Sequence, residues 1–248
     1  MNLLSQWFNK NRSAPVGTFA PLQTDIHSHL IPGIDDGAKS MAASLNLVKK
    51  LKELGFRKLV TTPHVMVDLY RNDAARIKSG AEALRKALAE SGMEIELEAA
   101  AEYKIDEGLP VLLEQGELLS FGDNYLLVEL PYYSPPLDLK EQLFALQSAG
   151  YTPILAHPER YVYWHKEFSK LEELKGLGVL FQLNTISLSG HYPRLTKKTS
   201  VKLIDAGMVD FLGSDVHNSQ YFPLLEKAMQ EPALRKLIDS GTLKNHLV

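Results

Sequence analysis

Six short strand-like segments in this chain each close on a histidine or an acid, and this regularity constrains the fold more than anything else in the sequence. Leu22–Ile26 leads into His27-Ser28-His29, Leu59–Pro63 into His64, and Ile95–Ala101 into Glu102. Tyr125–Val128 leads into Glu129, Pro153–Ala156 into His157, and Phe211–Val216 into His217. Brief, nearly continuous apolar runs bounded by turns are the mark of strands buried on both faces of a parallel sheet. On an extended strand, residues i and i+2 share a side, so His27 and His29 can reach one ion from one strand end. Neutral imidazole is the commonest side-chain metal ligand. Only His165, His191 and His246 of the eight histidines fall outside the pattern.

Between these runs lie helical patterns. Strands are expected at Leu22–Ile26, Lys58–Thr62, Glu94–Ala101, Tyr125–Leu130, Thr152–Ala156, Val179–Leu183 and Val209–Gly213. Helices are expected at Met41–Leu54, Ala74–Ser91, Pro110–Gln115, Leu137–Ala149, Lys166–Lys175 and Leu195–Ala206, with terminal helices at Gln220–Met229 and Ala233–Asp239. Ser40 reads as an N-cap, and Gly55, Gly92, Gly150, Gly176 and Gly207 stand at helix ends. Repeated strand-then-helix order argues for parallel strands joined by crossover helices. Seven such units fit a closed or nearly closed barrel better than an open sheet, with the active site at the carboxyl ends of the strands. Residues 22–248 form this domain, and residues 1–21 read as a flexible extension. Met1–Asn11 carries Leu3, Leu4, Trp7 and Phe8 in a polar context; it reads as a loose terminus, with a docking tail for a partner or a membrane surface as the alternative. Arg12–Pro21 reads as a Pro/Gly/Ser/Thr linker. No secretory-signal pattern and no apolar stretch of membrane-spanning length is present.

The barrel rule gathers residues distant in sequence at one rim. His27, His29, His64, His157 and His217 would meet Asp36, Glu102, Glu129 and Asp215 there. Acids packed together repel one another unless cations intervene. This is more than one ion can use, since zinc normally takes four ligands, so two or three ions sharing carboxylates are expected. Without cysteine the ligands are nitrogen and oxygen, which leaves manganese, iron and zinc open. The absence of cysteine also excludes disulfides and thiolate nucleophiles and fits a cytoplasmic protein. A net charge of −3 gives no basis for general nucleic-acid affinity. Several divalent ions would outweigh the four carboxylates and draw in an anion such as a phosphate monoester. Arg160, just past His157, could fork onto phosphate oxygens; the competing reading is an ion pair with Glu159.

These residues resemble the polymerase-and-histidinol-phosphatase (PHP) superfamily. The resemblance rests on His27-Ser28-His29, Asp35-Asp36-Gly37, Thr62-Pro63-His64, Ala101-Glu102, Val128-Glu129, Ala156–Tyr161 and Gly213–Asn218, and it covers residue 22 to the C-terminus. The nearest branch is the bacterial protein-tyrosine phosphatases of capsule and exopolysaccharide synthesis. The resemblance implies a distorted (β/α)7 barrel with a trinuclear metal centre. It implies that His27, His29, Glu102 and Asp215 hold one ion, and that Glu102, Glu129, His157, Asp36, His64 and His217 complete the other two. It further implies a hydrolase in which metal-bridging hydroxide attacks phosphotyrosine, with Arg160, Asp215 and His64 as catalytic residues. The implied substrate is the tyrosine-rich tail of a bacterial tyrosine kinase of polysaccharide export. Some relatives carry an arginine shortly after the final His-Asn, where this chain has Ser219-Gln220-Tyr221-Phe222; Arg71 is a substitute, though a solvated helix-start residue is the simpler reading. Tyr70, Tyr103, Tyr132, Tyr133, Tyr161, Tyr163, Trp164 and Tyr221 are read near the rim, as walls for a tyrosine ring or as ordinary loop packing. A small-molecule phosphatase of the histidinol-phosphate type is the alternative within the superfamily. A non-catalytic, metal-stabilised interaction domain is the alternative outside it.

Overall fold

The computed structural model describes residues 15–248. Nine short strands, all paired in parallel, run as β1 (Thr24–Asp25), β2 (Lys58–Thr61), β3 (His64–Val65), β4 (Glu96–Ala99), β5 (Glu102–Lys104), β6 (Tyr125–Glu129), β7 (Thr152–Ala156), β8 (Leu180–Asn184) and β9 (Phe211–Gly213). Between and after them lie the helices α1 (Met41–Glu53), α2 (Ala74–Glu90), α3 (Gly108–Gln115), α4 (Leu139–Ser148), α5 (Phe168–Gly176), α6 (Arg194–Asp205), α7 (Tyr221–Ala228) and α8 (Pro232–Asp239).

The strands form two hydrogen-bonded sheets, β1-β2-β4 and β3-β5-β6-β7-β8-β9. The expected second strand is thus split into β2 and β3, and the third into β4 and β5. Pro63 has no N–H to give to a ladder, so pairing lapses at Thr62-Pro63 and, beside it, at Ala100-Ala101. The same register continues across the break, from Thr61 opposite Ala99 to His64 opposite Glu102. The first and last strands meet through one isolated parallel bridge, Ser28 to Val216. Two hydrogen bonds flank it, from Asp215 N–H to the His27 carbonyl (2.8 Å) and from His29 N–H to the Val216 carbonyl (3.0 Å). The parallel α/β architecture is as the sequence predicts. The continuous closed ladder of an ideal barrel is not what the pairing gives.

Two apolar compartments reflect the strand period of two. Ile26, Val60, Ala100, Leu127, Ile154, Ala156 and Phe211 form a small plug between the strands. Their neighbours Leu59, Leu126, Val128 and Leu155 join the larger core beneath the helices. The helices begin where local chemistry starts them. The Ser40 side chain accepts the Ala43 N–H at 3.3 Å ahead of α1, and Asp73 accepts the Arg76 N–H at 2.7 Å ahead of α2. Gly55 follows α1 at φ 109°, a conformation that a Cβ would disfavour.

The linker reading of Arg12–Pro21 fails in its second half. Val16 and Phe19 are buried, the Val16 N–H donates to the Met229 carbonyl (2.8 Å), and the Phe19 ring stacks on Phe56 at 5.3 Å. Two well-spaced apolar side chains suffice to pin this stretch to the core. The Met1–Asn11 reading lies outside the described residues.

Asp25, fully buried at the end of β1, accepts hydrogen bonds from the Ser214 N–H (2.9 Å) and hydroxyl (2.5 Å). Burial nonetheless outweighs these bonds and pushes its carboxyl up to about 6. The folded chain therefore holds this proton more tightly than the unfolded one. The sign follows: stability falls as pH rises from about 4 to about 6, by about 3 kcal/mol. Asp25→Asn lacks that loss. Urea midpoints of the metal-free proteins at pH 4 and 7 should show the variant gaining on the parent as pH rises; a constant gap would contradict the assignment.

Candidate metal centre

The chain leaves β1 in extended form, so His27 and His29 both turn toward the carboxyl ends of the other strands. Each ring is fixed from behind. His27 Nδ1 lies 2.8 Å from Gln182 Oε1, and His29 Nδ1 lies 2.8 Å from Asp35 Oδ2. An acceptor on Nδ1 holds one proton there and leaves Nε2 as the nitrogen that faces the cluster. The two Nε2 atoms are 3.3 Å apart. Asp215 Oδ1 stands 3.3 Å and 3.4 Å from them, and Glu102 Oε2 3.1 Å and 3.4 Å.

Glu102 is the hub. Its Oε2 also faces His64 Nδ1 at 3.1 Å, and its Oε1 faces His157 Nε2 at 3.0 Å. Glu129 Oε1 lies 3.3 Å from His64 Nδ1. On the outer side, Asp36 Oδ1 is 3.5 Å from His64 Nε2 and 3.4 Å from His217 Nε2. His217 Nδ1 donates to the Asp215 carbonyl at 2.9 Å. Three sets of potential ligand atoms result, with the atoms of each set within 4.8 Å of one another. They are His27–His29–Asp215, His64–Glu102–Glu129 and His29–Asp36–His64–His217. Eight of the nine ligands named from sequence belong to these sets, and His157 joins them through Glu102.

The donor set suits cations. His64 Nδ1 and both Glu129 oxygens are buried without a hydrogen-bond partner among the described residues. An unpaired buried carboxylate is costly unless a positive charge compensates it. The titration of the protein groups alone points the same way. Burial would lower the His27 imidazole, but the Glu102 and Asp215 charges raise it to about 9. The His29 imidazole is held well above its usual value, with burial overcome chiefly by Asp35. Burial opposes ionisation of Glu102 and Asp215 as well, yet the histidines, His27 foremost, hold both well below the carboxylate range. Burial and then Arg160 lower the His157 imidazole.

His157 (φ 36°) and Asp215 (φ 52°) adopt left-handed backbone conformations where their strands end. Non-glycine residues take this conformation at a cost, and such sites cluster where side-chain direction matters. Arg160 follows His157 on a short 3-10 turn, Pro158–Arg160. Its Nη1 donates to Asp215 Oδ2 at 3.2 Å, and its guanidinium lies between the rings of Tyr132 (5.1 Å) and Tyr192 (4.8 Å). The alternative surface pair with Glu159 is not formed. Glu159 is fully buried and accepts from the Asn184 N–H (3.1 Å) and the Ser187 hydroxyl (2.6 Å) instead.

Above the cluster opens a cavity of about 360 Å³, lined by Asp36, His64, His157, Arg160, Asp215 and His217 together with aromatic and apolar side chains. Tyr70 stacks on His64 (5.6 Å), Tyr221 stacks on His217 (5.5 Å), and Tyr132 covers Arg160. The other aromatics named from sequence do not line it. Tyr161 is core, its hydroxyl accepting the Leu130 N–H, and Tyr103 accepts the Leu119 N–H away from the site. Tyr163 and Trp164 pack against Tyr161, and Tyr133 points to solvent. Arg71 donates to the Val67 carbonyl at 2.7 Å and is not part of the cavity lining. Sequence reasoning missed Gln182, Asn184, Tyr192 and the orienting role of Asp35. Of these only Asp35 stood within a motif.

This site and the parallel-strand fold place the chain in a defined class. Residues 23–242 match the family model for capsular polysaccharide synthesis proteins of the CpsB/CapC type, and the chain belongs to that family. It is 32% identical over 195 residues to the tyrosine-protein phosphatase YwqE of Bacillus subtilis (strain 168), covering 78% of this chain and 77% of YwqE. It is 26% identical over 200 residues to the tyrosine-protein phosphatase CpsB of Streptococcus pneumoniae, covering 78% and 82%. A crystal structure from work on these two proteins, described as metal-dependent tyrosine phosphatases, matches with a TM-score of 0.76 at 30% identity, covering 90% of this chain and 94% of that one. No helix among the described residues is long and apolar enough to cross a membrane.

Proposed function

We propose that this chain is a metal-dependent protein-tyrosine phosphatase. Its proposed substrate is a phosphotyrosine protein, the tyrosine-rich tail of a bacterial kinase of polysaccharide export, and its proposed location is the cytoplasm. The observation that carries this reading is the convergence of five imidazoles and four carboxylates, including a buried Glu129 without a hydrogen-bond partner among the described residues, beneath a cavity walled by tyrosines and one arginine. The YwqE and CpsB relatives support the same activity. His27, His29, Glu102 and Asp215 would hold one ion, and Glu129, His157, Asp36, His64 and His217, with Glu102 shared, would complete sites for one or two more. Manganese, iron and zinc all suit this donor set. When bound, such ions lower the pKa of coordinated water to near neutrality and polarise a phosphoryl group.

The protein's own groups do the rest. Arg160 has a fork of five donors, of which one N–H is committed to Asp215, leaving others for phosphate oxygens. The flanking Tyr132 and Tyr192 rings limit its swing. Tyr70 and Tyr132 offer faces to a substrate ring. His64 presents Nδ1 to Glu102 and Glu129 and Nε2 to Asp36, so a ligand role through one nitrogen leaves the other N–H on a carboxylate.

The test is a side-by-side assay of a phosphotyrosyl peptide and histidinol phosphate after chelation and re-addition of manganese, iron or zinc. Turnover of the peptide only with metal is expected. Higher efficiency on histidinol phosphate would reassign the substrate, and a metal-replete protein inert to both would support the interaction-domain reading. In the same assay Arg160→Ala should lower kcat/KM for the peptide by about 100-fold, the scale of losing one donor to a developing anion.

A further inference from the structure

β8 gives no imidazole or acid to the cluster, yet two of its side chains stand directly behind it. Gln182 and Asn184 are fully buried and share one face of the strand. His27 Nδ1 is 2.8 Å from Gln182 Oε1, Gln182 Nε2 is 2.9 Å from Asn184 Oδ1, and Asn184 Nδ2 is 2.6 Å from Asp215 Oδ2. The direction of this chain follows from donor chemistry. An ionised carboxylate only accepts, so Asn184 must turn its NH2 to Asp215. Its carbonyl oxygen then faces Gln182, which must donate. That leaves the Gln182 carbonyl oxygen toward His27, whose proton is thereby held on Nδ1. Reversing any one amide would set two acceptors or two donors against each other.

We propose that Gln182 and Asn184 form a polarised amide relay that presets His27 and Asp215 as a pair of ligands for one cation. They are positioning residues. At one end the relay fixes the His27 tautomer with Nε2 toward the cluster. At the other it occupies Asp215 Oδ2, together with Arg160 at 3.2 Å, and leaves Oδ1 facing His27 and His29. The surroundings hold the relay in place. The His157 backbone N–H donates to the Gln182 backbone carbonyl (2.8 Å), Glu159 accepts the Asn184 backbone N–H (3.1 Å), and Gly213 is required because a Cβ there would stand 2.6 Å from Gln182 Nε2. His29 is fixed independently through Asp35, so the relay governs His27 and Asp215 but not His29.

The inference rests on the reading that this pair holds a cation, and the test separates the two. Zinc and manganese affinities are measured by chelator competition for the parent, Gln182→Met, Asn184→Leu and the double variant, with circular dichroism on the metal-free proteins. A parent that binds neither metal overturns the reading itself. With a metal-binding parent, each single change should weaken the tightest site about 10- to 100-fold. The double variant should lose little more than the worse single, because either break severs the same chain. Losses under twofold, or losses that simply add, would overturn the relay. The isosteric Asn184→Asp guards against variants that fail to fold. Once ionised it cannot donate to Asp215, so its loading relative to the parent should fall as pH is raised from 6 to 9; loading that rises relative to the parent over that range would overturn the proposal.

Discussion

Glu102→Gln should abolish metal-dependent turnover of a phosphotyrosyl peptide, lowering kcat by about 1,000-fold or more. The reason is geometric. Glu102 Oε2 lies 3.1 to 3.4 Å from ring nitrogens of His27, His29 and His64, and Oε1 lies 3.0 Å from His157. One carboxylate thus lies beside ring nitrogens that belong to all three candidate sets. Glutamine keeps the shape and one acceptor oxygen but loses the charge, and its NH2 must face imidazole nitrogens on one side of the bridge. A donor set built for cations would then carry a donor at its centre. Asp215→Ala and His64→Ala should also remove nearly all turnover, although neither side chain reaches as many ring nitrogens as Glu102. Metal content measured beside kcat distinguishes lost loading from lost chemistry: Glu102→Gln should retain at least one ion fewer than the parent. Turnover within tenfold of the parent would show that Glu102 is not the shared group.

Why was so much of this centre readable from the sequence, and its support so little? A group that faces a cation must be one of a few residue types, and a parallel-strand fold sends the carboxyl ends of all strands to one rim. His64, Glu102, Glu129 and His157 announce themselves by type and by place. Gln182 does not. It sits in Leu180–Leu183 as one polar residue within an apolar run, and its partner His27 is 155 residues away. An orienting side chain needs only a donor or acceptor in the right place, and many residue types supply one. Asp35 and Asp36 show the same limit at close range. Adjacent and chemically alike, they part when the chain turns at Gly37: Asp35 closes on His29 from behind, while the half-exposed Asp36 faces His64 and His217. The sheet tells a similar story. The alternating pattern predicts parallel strands, but the lapse at Pro63 and Ala100-Ala101 belongs to a particular ladder, which hydrophobic periodicity does not specify.

The metal-free chain should take up cations with release of protons, and the stabilisation gained on loading should grow with pH. Burial alone would keep His27 neutral, but Glu102 and Asp215 raise it to about 9, and His29 is raised as well, chiefly by Asp35. Without cations these imidazoles carry the positive charge that the buried acids require. An ion approaching the two Nε2 atoms must displace those protons, so affinity falls as pH falls. With two protons displaced, the loss approaches about 100-fold per pH unit at neutral pH. The two forms differ in how their stability depends on pH. The folded metal-free chain binds these protons more tightly than the unfolded chain, so its stability is full below about 6.5 and declines as pH rises through about 9. For His27 alone this amounts to about 3 kcal/mol. The loaded protein carries no such proton on that nitrogen and escapes the decline. The difference in Tm between zinc-loaded and chelated protein, measured at pH 6, 7, 8 and 9, should therefore widen steadily. A difference that stayed level across that range would mean that cations and protons do not compete for the His27–His29 pair.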